Sequence, residues 1–313
     1  MLPRLLLLAL FSLPALADDA VLVTALRDPV DKSYRKMVKG MDLFEQMRAL
    51  APQASLRFKL LPRKRSTDME SVDLAIVANT FEQPIELGPD NTFVLPRNRA
   101  AFREDASVRP NRRKDTMTWR AEVRTPVLPE GTRRLGDLRL ECLVGMESGL
   151  VSRYPSLFDR VIDLLEDPRS FCGRANAPYL FFAEKPLFSV TLVSGSRRET
   201  LSVERMYGQV GAKGVPADTL RHCDCEVLLD RTYVLPLGDR SWPDETLVQF
   251  EYMDTNRSIT DGSTKADLLR SFGEGRKFRF DGGREVWAYR FDDTEFVVLL
   301  DAAGRVIKTR VRS

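Results

Sequence analysis

Histidine is almost absent from this sequence, since the 313 residues contain only His222. A metal site built from several histidines is therefore excluded, and any histidine-based triad must use this residue. Long apolar runs are also missing, because no segment reaches the 18 consecutive apolar residues typical of a membrane-spanning helix. Neither charge sign dominates, since 48 Lys and Arg stand against 45 Asp and Glu. We therefore expect no nucleic-acid partner and no transmembrane segment.

The common catalytic and cofactor motifs are missing as well. The chain has no Gly-x-Ser-x-Gly elbow, no His-Glu-x-x-His, no phosphate loop and no dinucleotide fingerprint. Ser33 and Lys36 have the Ser-x-x-Lys spacing that resembles the nucleophile motif of penicillin-recognising enzymes, but the companion Lys-Thr-Gly is absent. Ser33 is therefore expected to be a helix N-cap. The sequence predicts no cofactor and favours a protein that is not an enzyme.

The first 17 residues have the pattern of a secretory signal peptide. Arg4 precedes an almost unbroken apolar stretch over residues 5–13, and Ala15-Leu16-Ala17 supplies small residues at the spacing of a cleavage site. We expect cleavage after Ala17. In a Gram-negative bacterium the mature protein would be soluble in the periplasm.

The four cysteines are Cys142, Cys172, Cys223 and Cys225, and export makes disulfides their expected state. Cys142 falls at an inward position of a predicted strand, and Cys172 follows a predicted helix 30 residues later. These positions favour a Cys142–Cys172 bridge. Cys223 and Cys225 either form a strained bridge or pair elsewhere, because a two-residue spacing departs from ordinary disulfide geometry.

A second interpretation concerns the segment around the only histidine. His222, Cys223 and Cys225 lie within four residues, and imidazole and thiolate groups are suitable ligands for zinc or copper. The alternative is a turn with structural cysteines. A thiol-redox role is a further possibility, although the spacing is not Cys-x-x-Cys.

Hydrophobic periodicity predicts an α+β fold made mostly of strands. A helix is expected from Tyr34 to Leu50, followed by alternating segments that predict a sandwich-like or curled antiparallel sheet. These segments are Leu56-Phe58-Leu60, Val72-Leu74-Ile76, a hairpin of Ile85-Leu87 and Phe93-Leu95, Met117-Trp119-Ala121-Val123, and Leu138-Leu140-Cys142-Val144.

Four regions are predicted along the chain. Residues 1–17 are the signal peptide, and residues 18–168 form a β-rich domain with one amphipathic helix; a second, short helix is expected over residues 155–165. Residues 169–256 form a second β-rich segment, with strands at Phe188-Val190-Leu192 and Val248-Phe250-Tyr252. Residues 257–313 form a terminal module.

Residues 97–114 are rich in positive charge. They contain Arg97, Arg99, Arg103, Arg109, Arg112, Arg113 and Lys114, opposed only by Glu104 and Asp105. Such a patch could contact anionic lipid, lipopolysaccharide or an acidic protein. A solvated loop is the simpler interpretation, because no aromatic residues alternate with the charges.

The terminal module has the order helix, strand, strand, strand. Thr264 and Asp267 have the spacing of a capping box, and Gly273 is expected to end the helix. Three alternating segments follow, at residues 286–291, 296–300 and 305–311. Together these signals predict a short helix on a three-stranded antiparallel sheet.

About 50 residues of this module resemble the BamE-like family, also called SmpA/OmlA. The resemblance is carried by Gly262-Ser263-Thr264, Phe272-Gly273, Trp287-Ala288-Tyr289 and Leu300-Asp301-Ala302-Ala303-Gly304-Arg305-Val306. It implies a non-catalytic protein that supports outer-membrane protein assembly. The same scaffold resembles secreted protein inhibitors of β-lactamase, which also bind other proteins.

Two functional hypotheses follow. The first is a soluble, non-enzymatic binding or scaffolding protein of the cell envelope, with an envelope protein as partner and with Trp287 and Tyr289 as either a recognition surface or core residues. The second is a metal-handling or thiol-redox protein that uses His222, Cys223 and Cys225.

Overall fold

A computed structural model describes residues 30–64, 66–113, 116–151, 167–175, 177–209, 228–253 and 262–312. Within these ranges the chain forms five α-helices and seventeen β-strands, arranged in five antiparallel sheets. The predicted α+β fold with mostly strands is therefore confirmed. None of the helices in the described ranges is long and apolar enough to cross a membrane. The predicted signal peptide and the short helix at residues 155–165 lie outside these ranges.

The described helices are α1 (Tyr34–Gln46), α2 (Arg99–Arg103), α3 (Leu135–Glu147), α4 (Pro168–Cys172) and α5 (Lys265–Phe272). Helix α1 begins where the sequence predicted, because the Ser33 hydroxyl accepts a hydrogen bond from the Lys36 N–H at 3.3 Å. Its apolar face, including Met37 and Phe44, is buried in the core. A Cβ at Gly40 would collide with Ser148, so glycine permits the close approach between α1 and the end of α3.

Helix α3 corrects the prediction of a strand at residues 138–144. Every residue from Leu135 to Gly145 is buried, including Asp137, Arg139 and Glu141. A helix that is surrounded by protein has no solvent face, so its sequence lacks the 3.6-residue apolar period. The alternation of Leu138, Leu140, Cys142 and Val144 was therefore misleading.

The N-terminal strands form two sheets that contribute to one core. In the first sheet the order is β1 (Lys32–Ser33), β6 (Ser107–Pro110), β3 (Leu74–Val77) and β4 (Glu82–Ile85). In the second sheet β2 (Ser55–Pro62) lies between β5 (Thr92–Phe93) and β7 (Met117–Arg124). Ile76 and Val108 from the first sheet and Phe58 and Trp119 from the second belong to the same buried cluster.

The predicted hairpin between residues 85–87 and 93–95 is wrong. The turn itself exists, since the Gly88 N–H donates to the Thr92 carbonyl at 2.8 Å. However, β4 pairs with β3, whereas β5 pairs with β2. A turn signal predicts a change of direction, but burial against the rest of the molecule decides which strands become neighbours.

The middle of the chain adds a four-stranded and a two-stranded sheet. The first has the order β11 (Arg197–Thr200), β10 (Leu187–Ser194), β13 (Leu247–Tyr252) and β8 (Thr132–Arg134), and the second pairs β12 (Thr232–Tyr233) with β9 (Phe181–Phe182). The predicted strands at Phe188 and Val248 are present. Strand β8 comes from the region before residue 168, so the predicted regions 18–168 and 169–256 share a sheet.

The terminal module contains one strand more than predicted. Its sheet has the order β14 (Arg276–Arg279), β15 (Glu285–Phe291), β16 (Thr294–Leu300) and β17 (Val306–Arg312), beside helix α5. Strand β14 has one apolar residue, Phe278, so it shows no alternation that the sequence could reveal. The predicted capping box is present, because the Thr264 and Asp267 side chains bond each other's backbone N–H groups.

The two faces of the terminal sheet are buried against different partners. One face, which carries Phe278, Val286 and Leu299, joins the main core of the protein. The other face, which carries Trp287, Val298 and Leu300, packs against Leu268 of α5. Further bonds connect the first face to the body: the Glu295 carboxylate accepts from the Val203 N–H at 3.2 Å, and the Arg312 guanidinium donates to the Thr200 carbonyl at 2.7 Å.

Candidate protein-binding surface

The two aromatic residues that the sequence proposed for recognition lie inside the terminal module. Trp287 is completely buried and Tyr289 is 5% exposed. The Trp287 Nε1 donates to Glu285 at 2.7 Å, and the ammonium groups of Lys277 and Lys265 lie 4.4 and 5.3 Å from the Trp287 ring centre. Core packing, rather than an exposed recognition surface, is therefore the role these two side chains have in the fold.

An exposed apolar surface begins two residues further along the same strand. Strand β15 places Trp287, Tyr289 and Phe291 on one face, and Phe291 is 47% exposed. The Phe272 ring, 43% exposed at the end of α5, lies 5.9 Å from the Phe291 ring and 5.4 Å from the Phe296 ring. Val311 is opposite Phe296 in the strand register and is 68% exposed. The aromatic patch consists of Leu269, Phe272, Phe291, Phe296 and Val311.

The length of α5 explains why this patch is uncovered. An eight-residue helix is about 12 Å long, whereas the seven-residue strands β15 and β16 extend for about 23 Å. Helix α5 covers the end of the sheet that carries Trp287 and Leu300. At the opposite end, at the turn between β15 and β16, α5 ends at Phe272, whose ring contacts Phe291 and Phe296 but leaves Phe291 47% exposed.

Two carboxylates border the aromatic patch at this turn. Asp292 and Asp293 connect β15 to β16 as a two-residue loop, and both are exposed. Asp292 has a φ of 51°, which is the left-handed conformation that tight hairpin turns require and that aspartate tolerates. The patch is thus apolar at its centre and acidic at one border.

Tyr289 forms the floor of the patch. Its ring lies 5.4 Å from the Phe272 ring and is stacked on the Phe291 ring at 6.4 Å with an interplanar angle of 7°. Burial, and secondarily the charge of Glu274, raises the pKa of Tyr289. A Cβ at Gly275 would approach the Tyr289 ring to 2.8 Å, so the absence of a side chain there leaves space for the aromatic ring.

The Glu285 carboxylate makes the stability of the terminal module depend on pH. Burial acts to raise its pKa, but the hydrogen bonds from Lys265 and Trp287 outweigh burial, and the pKa lies below its ordinary value of 4.5. A carboxylate with a lowered pKa stabilises the fold above the unfolded-state pKa. That contribution is lost as the pH falls through the folded-state pKa.

We expect Glu285→Gln to lower the free energy of unfolding by about 1–2 kcal/mol at neutral pH. The ion pair with Lys265 becomes a weaker hydrogen bond between the charged ammonium and a neutral amide. Well below pH 4.5 the wild-type carboxyl is protonated, so the two proteins should have nearly equal stability. Urea unfolding at both pH values measures the difference. An equal cost at both pH values would contradict the assignment of this effect to the carboxylate charge.

The other predicted sites have different outcomes. The Cys142–Cys172 disulfide is confirmed, with the two Cα atoms 6.1 Å apart. Cys142 lies in the helix α3 and not in the predicted strand, and Cys172 is the last residue of α4. His222, Cys223 and Cys225 lie outside the described residues. Within the residues that are described, no group of three or more His, Cys, Asp or Glu side chains could hold a metal ion.

Residues 97–114 contain regular secondary structure, and part of their positive charge is paired with acidic residues from elsewhere in the chain. They contain α2 and β6, and three of their arginines pair with acidic residues distant in sequence. These pairs are Arg97 with Asp42 at 2.7 Å, Arg109 with Asp31 at 3.3 Å, and Arg112 with Asp68 at 3.5 Å. Lys114 lies outside the described residues, and contact with anionic lipid stays a prediction.

Sequence reasoning missed Phe272, Phe291 and Phe296 as surface residues. The available signal was the aromatic alternation Trp287, Tyr289 and Phe291, which continues beyond what a helix of eight residues can cover. Comparison with protein-family models, curated proteins and solved structures finds no match for this chain. The resemblance of the terminal module to the BamE-like family therefore stays a prediction.

Proposed function

We propose that this protein is an exported binding or scaffolding protein of the cell envelope that holds a polypeptide partner on the aromatic patch. The observation that carries the proposal is the group of exposed apolar side chains around Phe272 and Phe291. Aromatic residues are enriched among the side chains that dominate protein–protein binding energy. Contiguous exposed apolar groups on a folded protein often mark an interaction site.

The border of the patch indicates the chemistry of the partner. Asp292 and Asp293 place two negative charges beside the apolar side chains. A segment that combines aromatic or aliphatic residues with lysine or arginine complements both features. The patch is carried mainly by a sheet whose other face is attached to the body through hydrogen bonds of Glu295 and Arg312.

Two further observations support export and an envelope role. A buried disulfide is formed, and such bonds are common in secreted and periplasmic proteins and rare in the cytosol. The first 17 residues have the signal-peptide pattern, with the periplasm as the proposed location. The resemblance to the BamE-like family supports a partner involved in outer-membrane maintenance.

The second hypothesis, metal handling or thiol redox chemistry at His222, Cys223 and Cys225, has a separate test. Metal content and thiol count after purification from the periplasm without reductant measure it directly. Bound metal that is lost in Cys225→Ser would support this hypothesis, and metal-free protein with both thiols oxidised would reject it.

A synthetic peptide that alternates phenylalanine and lysine is the first probe for the aromatic patch. We expect it to bind the purified protein, and we expect Phe291→Ser to weaken binding about thirtyfold, the equivalent of a 2 kcal/mol hot spot. Fluorescence anisotropy of the labelled peptide measures the dissociation constant. Since Phe291 is half exposed, its replacement should leave the melting temperature almost unchanged.

Two controls make this test specific. Val94→Ser changes an apolar residue that is 57% exposed on another part of the molecule, and it should bind the peptide like the wild type. A peptide that alternates phenylalanine and glutamate should bind far more weakly because of Asp292 and Asp293. Equal binding by Phe291→Ser and Val94→Ser would reject the patch as the binding surface.

A further inference from the structure

The outer edge of strand β17 lies beside the aromatic patch. Strand β17 is the last strand of the terminal sheet, and its inner side pairs with β16. Thr309 is exposed, and Val311, which belongs to the patch, is 68% exposed. An edge strand that solvent can reach presents backbone N–H and C=O groups with which another extended chain can pair.

The register of the sheet shows which backbone groups of β17 point outwards. Phe291 and Thr294 flank the two-residue turn, so they exchange backbone hydrogen bonds, and bonded pairs then alternate along β15 and β16. The intervening residues of β16 therefore point towards β17, where their partners are residues 308, 310 and 312. Thr309 and Val311 alternate with these partners. Their N–H and C=O groups consequently point away from β16, along the outer edge.

This outer edge is already paired where β17 begins. The Val306 N–H donates to the Ser263 carbonyl at 2.9 Å, and Thr264 forms an antiparallel bridge with Arg305. No other described residue forms such a backbone bond at the end of the strand that borders the patch. The edge is thus covered by the chain's own backbone at one end and open at the other.

Several other sheet edges in the described ranges are protected. At β7 the Val123 N–H donates to Glu141 at 3.2 Å, and the Val123 carbonyl accepts from Arg133 at 2.7 Å. Strand β4 contains Pro84, and strands β11 and β14 consist mostly of charged residues. Proline, charge and covering side chains are the means by which sheet edges avoid pairing. The open end of β17 instead exposes a threonine and a valine, which favour strand pairing.

We infer that the partner of the aromatic patch binds as an extended β-strand that adds to the outer edge of β17. The inference rests on the proposed function, because it assigns a binding mode to that same partner. Its backbone would bond to Thr309 and Val311. In an antiparallel pair, residues that bond to each other have their side chains on the same face. Val311 shares its face with Phe296, so every second side chain of the partner would reach the patch.

Backbone methylation of the alternating phenylalanine and lysine peptide tests this inference on the wild-type protein. One version carries N-methyl groups on its phenylalanines, and the other carries them on its lysines. We expect antiparallel addition, which directs the phenylalanine N–H groups at β17. The first version should then bind at least about tenfold more weakly than the unmodified peptide, because it loses two or more hydrogen bonds. The second version should keep most of its affinity.

Thr309→Pro tests the same bond from the side of the protein. It removes an outward N–H without removing a bond of the sheet, as prolines on edge strands do. Binding of the unmodified peptide should weaken about tenfold. Arg279→Pro is the matched control, because Arg279 has the corresponding outward position on β14 at the opposite edge of the sheet. This variant should bind the peptide like the wild type.

The possible results separate this inference from the proposed function. Weaker binding of the lysine-methylated version alone would still support strand addition, in the parallel direction. Equal binding of the two methylated peptides, or equal binding by Thr309→Pro and Arg279→Pro, overturns strand addition. The patch itself would remain the binding surface if Phe291→Ser still weakened binding. If the unmodified peptide does not bind, or if Phe291→Ser binds it fully, the proposed function fails and the inference fails with it.

Discussion

Replacement of both Cys142 and Cys172 by alanine is expected to lower the free energy of unfolding by about 3–4 kcal/mol. The bridge closes a loop between residues 30 positions apart, and a cross-link of this span removes much of the entropy of the unfolded chain. For a protein of this size the melting temperature should fall by on the order of 10 °C. Calorimetry or thermal circular dichroism measures the change.

Alanine is the suitable replacement because both cysteines are buried. Serine would add an enclosed hydroxyl group and an extra cost that is unrelated to the bridge. A reducing agent should bring the wild type down to the stability of the double variant. A further loss when the variant itself is reduced would report on Cys223 and Cys225. A melting temperature within about 2 °C of the wild type would contradict a stabilising role for the bridge.

Glu141→Gln is expected to cost about 3–5 kcal/mol, because it leaves the Arg133 guanidinium charged and buried without its counter-ion. The Arg133 and Glu141 side chains are 4% and 8% exposed, and their closest atoms are 2.7 Å apart. Burial acts to lower the pKa of Arg133, but the Glu141 carboxylate outweighs burial and the pKa is raised, so the guanidinium stays charged. Urea unfolding measures the loss.

A double variant separates the effect of the Arg133–Glu141 ion pair on stability from the effect of the surrounding packing. Arg133→Met combined with Glu141→Leu removes both charges at similar volume and should recover most of the lost stability. Glu45→Gln is the exposed comparison, because it breaks the surface pair with Arg48 at 3.1 Å and should cost less than about 1 kcal/mol. The interpretation fails if the double variant is as unstable as Glu141→Gln alone.

Elements with one buried and one exposed face were predictable from the sequence. Helix α1 has an apolar stripe and an N-cap at Ser33, and in strand β2 the buried Phe58 and Leu60 alternate with more exposed residues, so local pattern and structure agree. The capping box at Thr264 is equally local, because its bonds join residues three apart. In these cases the sequence records directly which side of the element meets water.

Elements whose environment is the same on all sides were not predictable. Helix α3 is buried all round, so Leu138 and Cys142 were assigned to a strand, although the disulfide partner of Cys142 was predicted correctly. Strand β14 was missed for a different reason, because it is four residues long and has a single apolar residue, Phe278, so its sequence shows no alternation. Without a difference between two faces, periodicity carries no information about the type of element.

The candidate site, too, could be predicted only in part from the sequence. The sequence located aromatic residues in the terminal module but could not say which of them meet solvent. Trp287 and Phe291 lie on the same face of the same strand, yet the first is buried and the second is half exposed. The difference depends on where helix α5 ends above the sheet.

The sequence by itself determined the mostly β composition, the amphipathic first helix, and the capped helix and three of the four strands of the terminal module. These features depend on neighbouring residues or on a single dominant pattern. The tertiary structure alone decided the partners of β4 and β5, the central position of α3, the buried Arg133–Glu141 pair and the exposure of the aromatic patch. Each of these depends on contacts between segments distant in sequence, where the free energy of burial, and not local propensity, decides the arrangement.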